Sequence, residues 1–109
     1  MSEHPYRRVE GQLSYAITQE ALDAAAGAAA ALVEGVEVAH RRFARPRGRG
    51  AHVEVDGDMV RARIEIACTY GVVLPAAARE VQRLVSATLA TLTGLEVDGV
   101  DVEVVAVLR

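Results

Sequence analysis

One strand fixes most of what this chain can fold into. From Val60 to Cys68, the apolar residues Val60, Ala62, Ile64, Ile66 and Cys68 alternate with Arg61, Arg63, Glu65 and Ala67. A period of two predicts an extended strand with one buried face and one wet face. Asp56-Gly57-Asp58 precedes it, and Asp-Gly supplies the positive φ that a tight hairpin turn needs. Tyr70-Gly71 ends it, and Pro75 then opens a helix at its first position, where a missing N–H costs little. Val81, Leu84, Val85, Thr88, Leu89 and Leu92 recur at helical spacing and predict the stripe that faces the sheet. Gly94 stops this helix. A last strand is predicted over Val100–Val107, and its Val104-Val105 doublet marks either a bulge or a fully buried end.

The first half is a looser version of the same design. Leu13, Tyr15 and Ile17 alternate with polar or small residues and predict a strand from Gly11. Thr18 is placed to cap a helix over Gln19–Glu34, with Glu20 and Asp23 in the first turn, where the helix dipole favours negative charge. Seven alanines surround Gly27 between Ala24 and Ala31, so this helix can lie close on a sheet or on a second subunit. Gly35 is predicted to end it, as Gly94 ends the second. Val36–Phe43 reads as a further strand, and pairing it with Ala51–Val55 in a hairpin would bring His40 near His52. The expected class is α+β: a two-layer sandwich, β-α-β-β-(β)-α-β, with two helices on one face of a mainly antiparallel sheet. Residues 1–10 are expected to be a flexible N-terminal arm, and 11–109 a single domain.

Composition narrows the function. A chain of 109 residues has room for one core, and 51% apolar residues can fill it. With one Phe, three Tyr and no Trp, there is no aromatic platform for stacking bases. Net charge is −3, yet all twelve basic residues are Arg, and five of them (Arg41, Arg42, Arg45, Arg47 and Arg49) crowd one Pro- and Gly-broken loop. That loop, with Arg61 and Arg63 on the wet face of the long strand, is the candidate contact for a partner or for anions. The net negative charge runs against nucleic acid as the partner. No apolar run reaches the ~20 residues needed to span a bilayer. The polar N-terminus shows no signal-peptide core, so a cytoplasmic location is expected.

No reaction centre is visible. Gly-x-Gly-x-x-Gly and Walker A patterns are missing. His4, His40, His52 and Cys68 share no short ligand spacing, so no metal or other cofactor is expected. Cys68 falls on the apolar face of its strand and reads as a buried small hydrophobe. Asp56 and Asp58 are explained by their turn. The chain is not expected to be an enzyme.

In order and spacing, these elements resemble one family. The carriers are Val60-x-Ala62-x-Ile64-x-Ile66-x-Cys68-x-Tyr70-Gly71, Val81-Gln82, Leu92-Thr93-Gly94-Leu95-x-Val97 and Val100-x-Val102-x-Val104. Val33-Glu34-Gly35-Val36 and the opening Gly11 with Ile17-Thr18 join them. The chain resembles the alkaline shock protein family of bacterial envelope stress response proteins. The resemblance implies a non-enzymatic cytoplasmic protein that self-associates. It also implies a small membrane-anchored partner that holds the protein peripherally at the inner face of the membrane. No catalytic residues come with it. Two features depart from the pattern: the opening segment is about two residues longer, and the Arg-rich loop has no counterpart. The alternative from the residues alone is a small anion- or nucleic-acid-binding module acting through residues 41–49.

Overall fold

A computed structural model of the chain describes residues 5–39 and 50–109. Two short strands come first, β1 (Tyr6–Glu10) and β2 (Leu13–Ile17). They pair antiparallel with Glu10 opposite Leu13, and Gly11 turns the hairpin at φ 56°. The arm expected over residues 1–10 is therefore a strand from Tyr6 onward. The Tyr6 hydroxyl donates to the Thr93 carbonyl oxygen, and Tyr6 is buried there, which ties the ribbon to the end of the second helix.

Helix α1 spans Gln19–Ala31. As predicted, the Thr18 hydroxyl accepts the Ala21 N–H, at 3.1 Å. The helix stops at Ala31, short of the Glu34 expected from the sequence, with Leu32 as its C-cap. Gly35, at φ 78°, belongs to the turn that follows, where a Cβ would come within 2.6 Å of the Val72 side chain. Strands β3 (Val36–Val38), β4 (Ala51–Asp56) and β5 (Met59–Thr69) follow, then α2 (Leu74–Thr93) and β6 (Glu96–Leu108). Pro75 sits in the first turn of α2, and Gly94 caps its end at φ 70°.

Strand β5 is the axis of the main sheet. Along one side β6 runs parallel to it from end to end. A parallel pair needs a long crossover, and α2 provides it. Along the other side β4 pairs antiparallel with Met59–Ile64, and β3 pairs antiparallel with Ile66–Cys68. β3 and β4 do not pair with each other as a hairpin; each is half of one interrupted edge. The junction is Glu65, whose N–H donates to Gly50 O at 2.6 Å and whose carbonyl accepts the Ala39 N–H at 2.8 Å. Ala39 and Gly50 thus meet β5 on either side of Glu65.

Both helices cover one face, so the class is the α+β two-layer sandwich predicted from the sequence. Val60, Ala62, Ile64, Ile66 and Cys68 are all 0–2% exposed beneath them. Burying each larger side chain contributes about 1.5–3 kcal/mol. The alanines bring α1 close: a Cβ at Gly27 would meet the Ala51 Cβ at 3.6 Å. On α2 the buried row is Ala77, Val81, Val85, Leu89 and Thr93, in steps of four. Leu92, placed on the stripe by sequence, is 40% exposed. The bulge foreseen at Val104-Val105 is present: Ile66 faces Val104 while Ala67 faces Ala106. A second bulge, at Asp98, separates the Val60–Val97 and Arg61–Gly99 pairs.

Candidate interaction site

The open face of the sheet is less uniformly wet than its alternation predicts. Arg61, Arg63 and Thr69 are exposed, but Ala67 and Glu65 are buried. Ala67 is small and lies mid-sheet between Glu37 and Ala106. Glu65 turns its carboxylate to the junction of β3 and β4, where Oε1 accepts the Gly50 N–H at 3.3 Å. Arg61, a candidate contact from sequence, is already engaged. It donates to Asp98 at 3.1 Å and to Asp101 at 3.2 Å, across β5 to β6. The bulge at Asp98 adds a second carboxylate to this fork, and the guanidinium lies over Gly99, where a Cβ would come within 3.0 Å of Nη1. Asp101, then Asp98, hold the guanidinium more firmly protonated than usual. Arg63 is exposed and has no ion pair among the described residues. Arg41, Arg42, Arg45, Arg47 and Arg49 lie outside the described residues, as does His40.

A shallow cavity of about 160 Å3 on the open face is lined by His52, Glu54, Arg61, Ala62, Arg63 and Asp101. His52 Nδ1 lies 3.5 Å from Asp23, and Nε2 lies 3.8 Å from Glu54. Among the described residues, no three of His, Cys, Asp and Glu gather as a metal site. Cys68 is fully buried, and burial pushes its thiol up, away from the nucleophilic thiolate.

The two helices reach down to the two edges of the sheet. On the β4 edge, Asp23 Oδ1 accepts the Val53 N–H at 2.8 Å, and Gln19 Nε2 donates to Val53 O at 2.5 Å. Asp23 thus acts on an edge strand rather than on the helix dipole. On the β6 edge, Gln82 Nε2 of α2 donates to Val100 O at 3.1 Å. Beside that bond runs a groove of about 470 Å3, lined by Arg79, Gln82, Arg83, Ser86, Val97, Gly99 and Val100.

A third surface is apolar. The end of α1 and the start of α2 lie together around a groove of about 410 Å3, lined by Leu32, Val33, Val72, Val73, Ala76, Ala77 and Leu84, with Glu34 and Glu80 at its rim. Leu32 is 76% exposed and Val73 is 68% exposed. By sequence, Ala21, Leu22, Ala25, Ala29, Leu32 and Val33 form the apolar face of the first helix, yet the helix stops at Ala31 and leaves Leu32 outside; Val73 was passed over. The available signal was a pair of apolar doublets, Leu32-Val33 at the end of the first helix and Val72-Val73 ahead of the second.

The β-α-β unit of β5, α2 and β6, the Gly94 stop and the bulged last strand are also where the chain matches a family model. That model, the Asp23 family with cell envelope-related function, aligns over residues 8–109. The chain belongs to the Asp23 family. (The family name is unrelated to the aspartate at position 23.) The family resemblance read from the sequence is thereby shown, and with it a cell envelope-related function. No curated protein and no solved structure matches the chain. Among the described residues no helix is long and apolar enough to cross a membrane.

Proposed function

We propose that this Asp23-family chain is a non-enzymatic component of the bacterial envelope stress response. It acts as a self-associating scaffold in the cytoplasm, held near the membrane by a membrane-anchored partner protein. The observation that carries the reading is the apolar end formed by Leu32 and Val73, 76% and 68% exposed around their groove. A small domain that presents two large aliphatic side chains beside one groove gains by covering them. The family's envelope-related description gives the setting.

The test is light scattering coupled to size exclusion over a concentration series, run on the wild type and on Leu32→Asp/Val73→Asp. Concentration-dependent assembly that the double variant loses supports the scaffold. A wild-type chain that stays monomeric throughout sinks the self-association. Recovery of no membrane protein with the tagged chain from an envelope fraction sinks the anchoring partner.

A further inference from the structure

We propose that the free edge of β6, together with the flank of α2 above it, is a docking site for an extended acidic segment of a partner protein. That segment would add to the sheet as one more strand. The site is distinct from the apolar end, so it stands or falls apart from the scaffold reading.

Strand β6 runs for 13 residues and, among the described residues, pairs with β5 alone. The Val100 carbonyl is turned away from β5, where the Gln82 side chain serves it. Alternate strand residues share an orientation, so the N–H and C=O of Val102 also face outward. An added strand satisfies such groups with its own backbone. The roof of the groove sets the chemistry of the segment. Arg79 and Arg83 stand one turn apart on α2, about 6 Å along the helix axis. Side chains two apart on a strand repeat every ~6.6 Å. Carboxylates on alternate residues of the added strand therefore match the two guanidiniums. Arg79 has no ion pair among the described residues. Arg83 is shared with Glu80, at 2.5 Å, and keeps donors to spare.

A second copy is the poorer occupant. Antiparallel pairing of two β6 edges needs a dyad normal to the sheet. It would set Arg79 and Arg83 against their own copies on the helical side.

Fluorescence anisotropy with two labelled hexapeptides, Val and Glu alternating or Val and Lys alternating, tests the proposal at low salt. The Glu peptide is expected to bind, and the Lys peptide at least tenfold more weakly. Arg79→Glu/Arg83→Glu, two exposed positions, is expected to reverse that order. Val102→Pro removes an outward N–H without touching the ladder to β5 and is expected to abolish binding with the circular dichroism unchanged. Equal affinity for both peptides, or a charge reversal without effect, overturns the proposal. So does a wild-type dimer that Val102→Pro dissociates, since the edge then belongs to a second copy. Loss of assembly in Leu32→Asp/Val73→Asp with peptide binding intact separates the two surfaces.

Discussion

The two edges of the main sheet are protected in different ways, and the difference separates structure from interaction. An exposed edge is a template for pairing with another chain, and folded proteins blunt it. The β4 edge is closed at Val53, where α1 serves both the N–H through Asp23 and the C=O through Gln19. At Val100 of the β6 edge, α2 serves the C=O through Gln82, and an open groove runs alongside. The first device takes up both valences of the edge residue. The second leaves the edge accessible from the side. Two helices lying on one sheet thus leave the molecule with one sealed flank and one serviceable flank.

The sealed flank can be broken at its junction or at its cap. Gly50, at φ 74°, accepts the Glu65 N–H of β5, and a Cβ there would collide with the Ala39 carbonyl oxygen. Gly50→Ala therefore combines left-handed strain with a backbone clash. The expected loss is roughly 2–4 kcal/mol, read from the urea midpoint. A variant as stable as the wild type would mean that β3 and β4 are not held as one interrupted edge. Asp23→Ala leaves the Val53 N–H unserved, and an expected loss of about 1–3 kcal/mol follows. Asp23→Asn should recover part of it, because an amide oxygen still accepts. Gln82→Ala should cost less, about 0.5–1.5 kcal/mol, since a carbonyl on an open edge finds water. Equal losses for Asp23→Ala and Gln82→Ala would erase the distinction between the flanks.

The parts of this fold that the sequence made legible are local ones. The alternation of β5, the Thr18 cap, the turn at Gly57, the Gly94 stop and the doublet bulge each depend on neighbours within a few residues. What escaped depends on distant partners. Residues 6–10 become a strand because β2 folds back on them across Gly11, and Tyr6 anchors near Thr93, 87 residues away. β3 and β4 are collinear because β5 holds both, a relation no local pattern records. On α2 the long side chains Leu84 and Leu92 outweighed Ala77 and Thr93 in the stripe, although the buried row runs through the small ones. From sequence Asp23 reads as an acid in the first turn of its helix, Gln19 as the helix start and Gln82 as part of a family motif, none of them as partners of the sheet. Their acceptors and donors lie 34, 30 and 18 residues on. The arginines drew attention by their number, but the charge of Arg61 is spent inside the sheet.

The smallest expected effect lies over the serviceable flank. Glu80, which lines the apolar groove, accepts from Arg83 Nε at 3.2 Å and from Nη2 at 2.5 Å, and Arg83 lines the β6 groove. That hydrogen bonding, and then the guanidinium charge, hold the Glu80 carboxyl below its ordinary value of 4.5. A carboxyl whose folded value is depressed stabilises the fold above its unfolded value. The contribution is lost as pH falls through the folded value, so the window opens near the ordinary value and extends below it. Both groups are exposed, so the effect is slight and weakens with salt. Thermal unfolding of wild type and Glu80→Gln should show a small gap in Tm at about pH 6 that closes by about pH 3. A gap that is constant with pH would mean the pair contributes nothing as an ion pair. The same variant sharpens the comparison of the two flanks. Removing the Glu80 charge frees the Arg83 fork at neutral pH, so the alternating Glu peptide should bind Glu80→Gln more tightly than it binds the wild type. Looser binding there would show that Glu80 orients Arg83 for the incoming strand instead of competing with it.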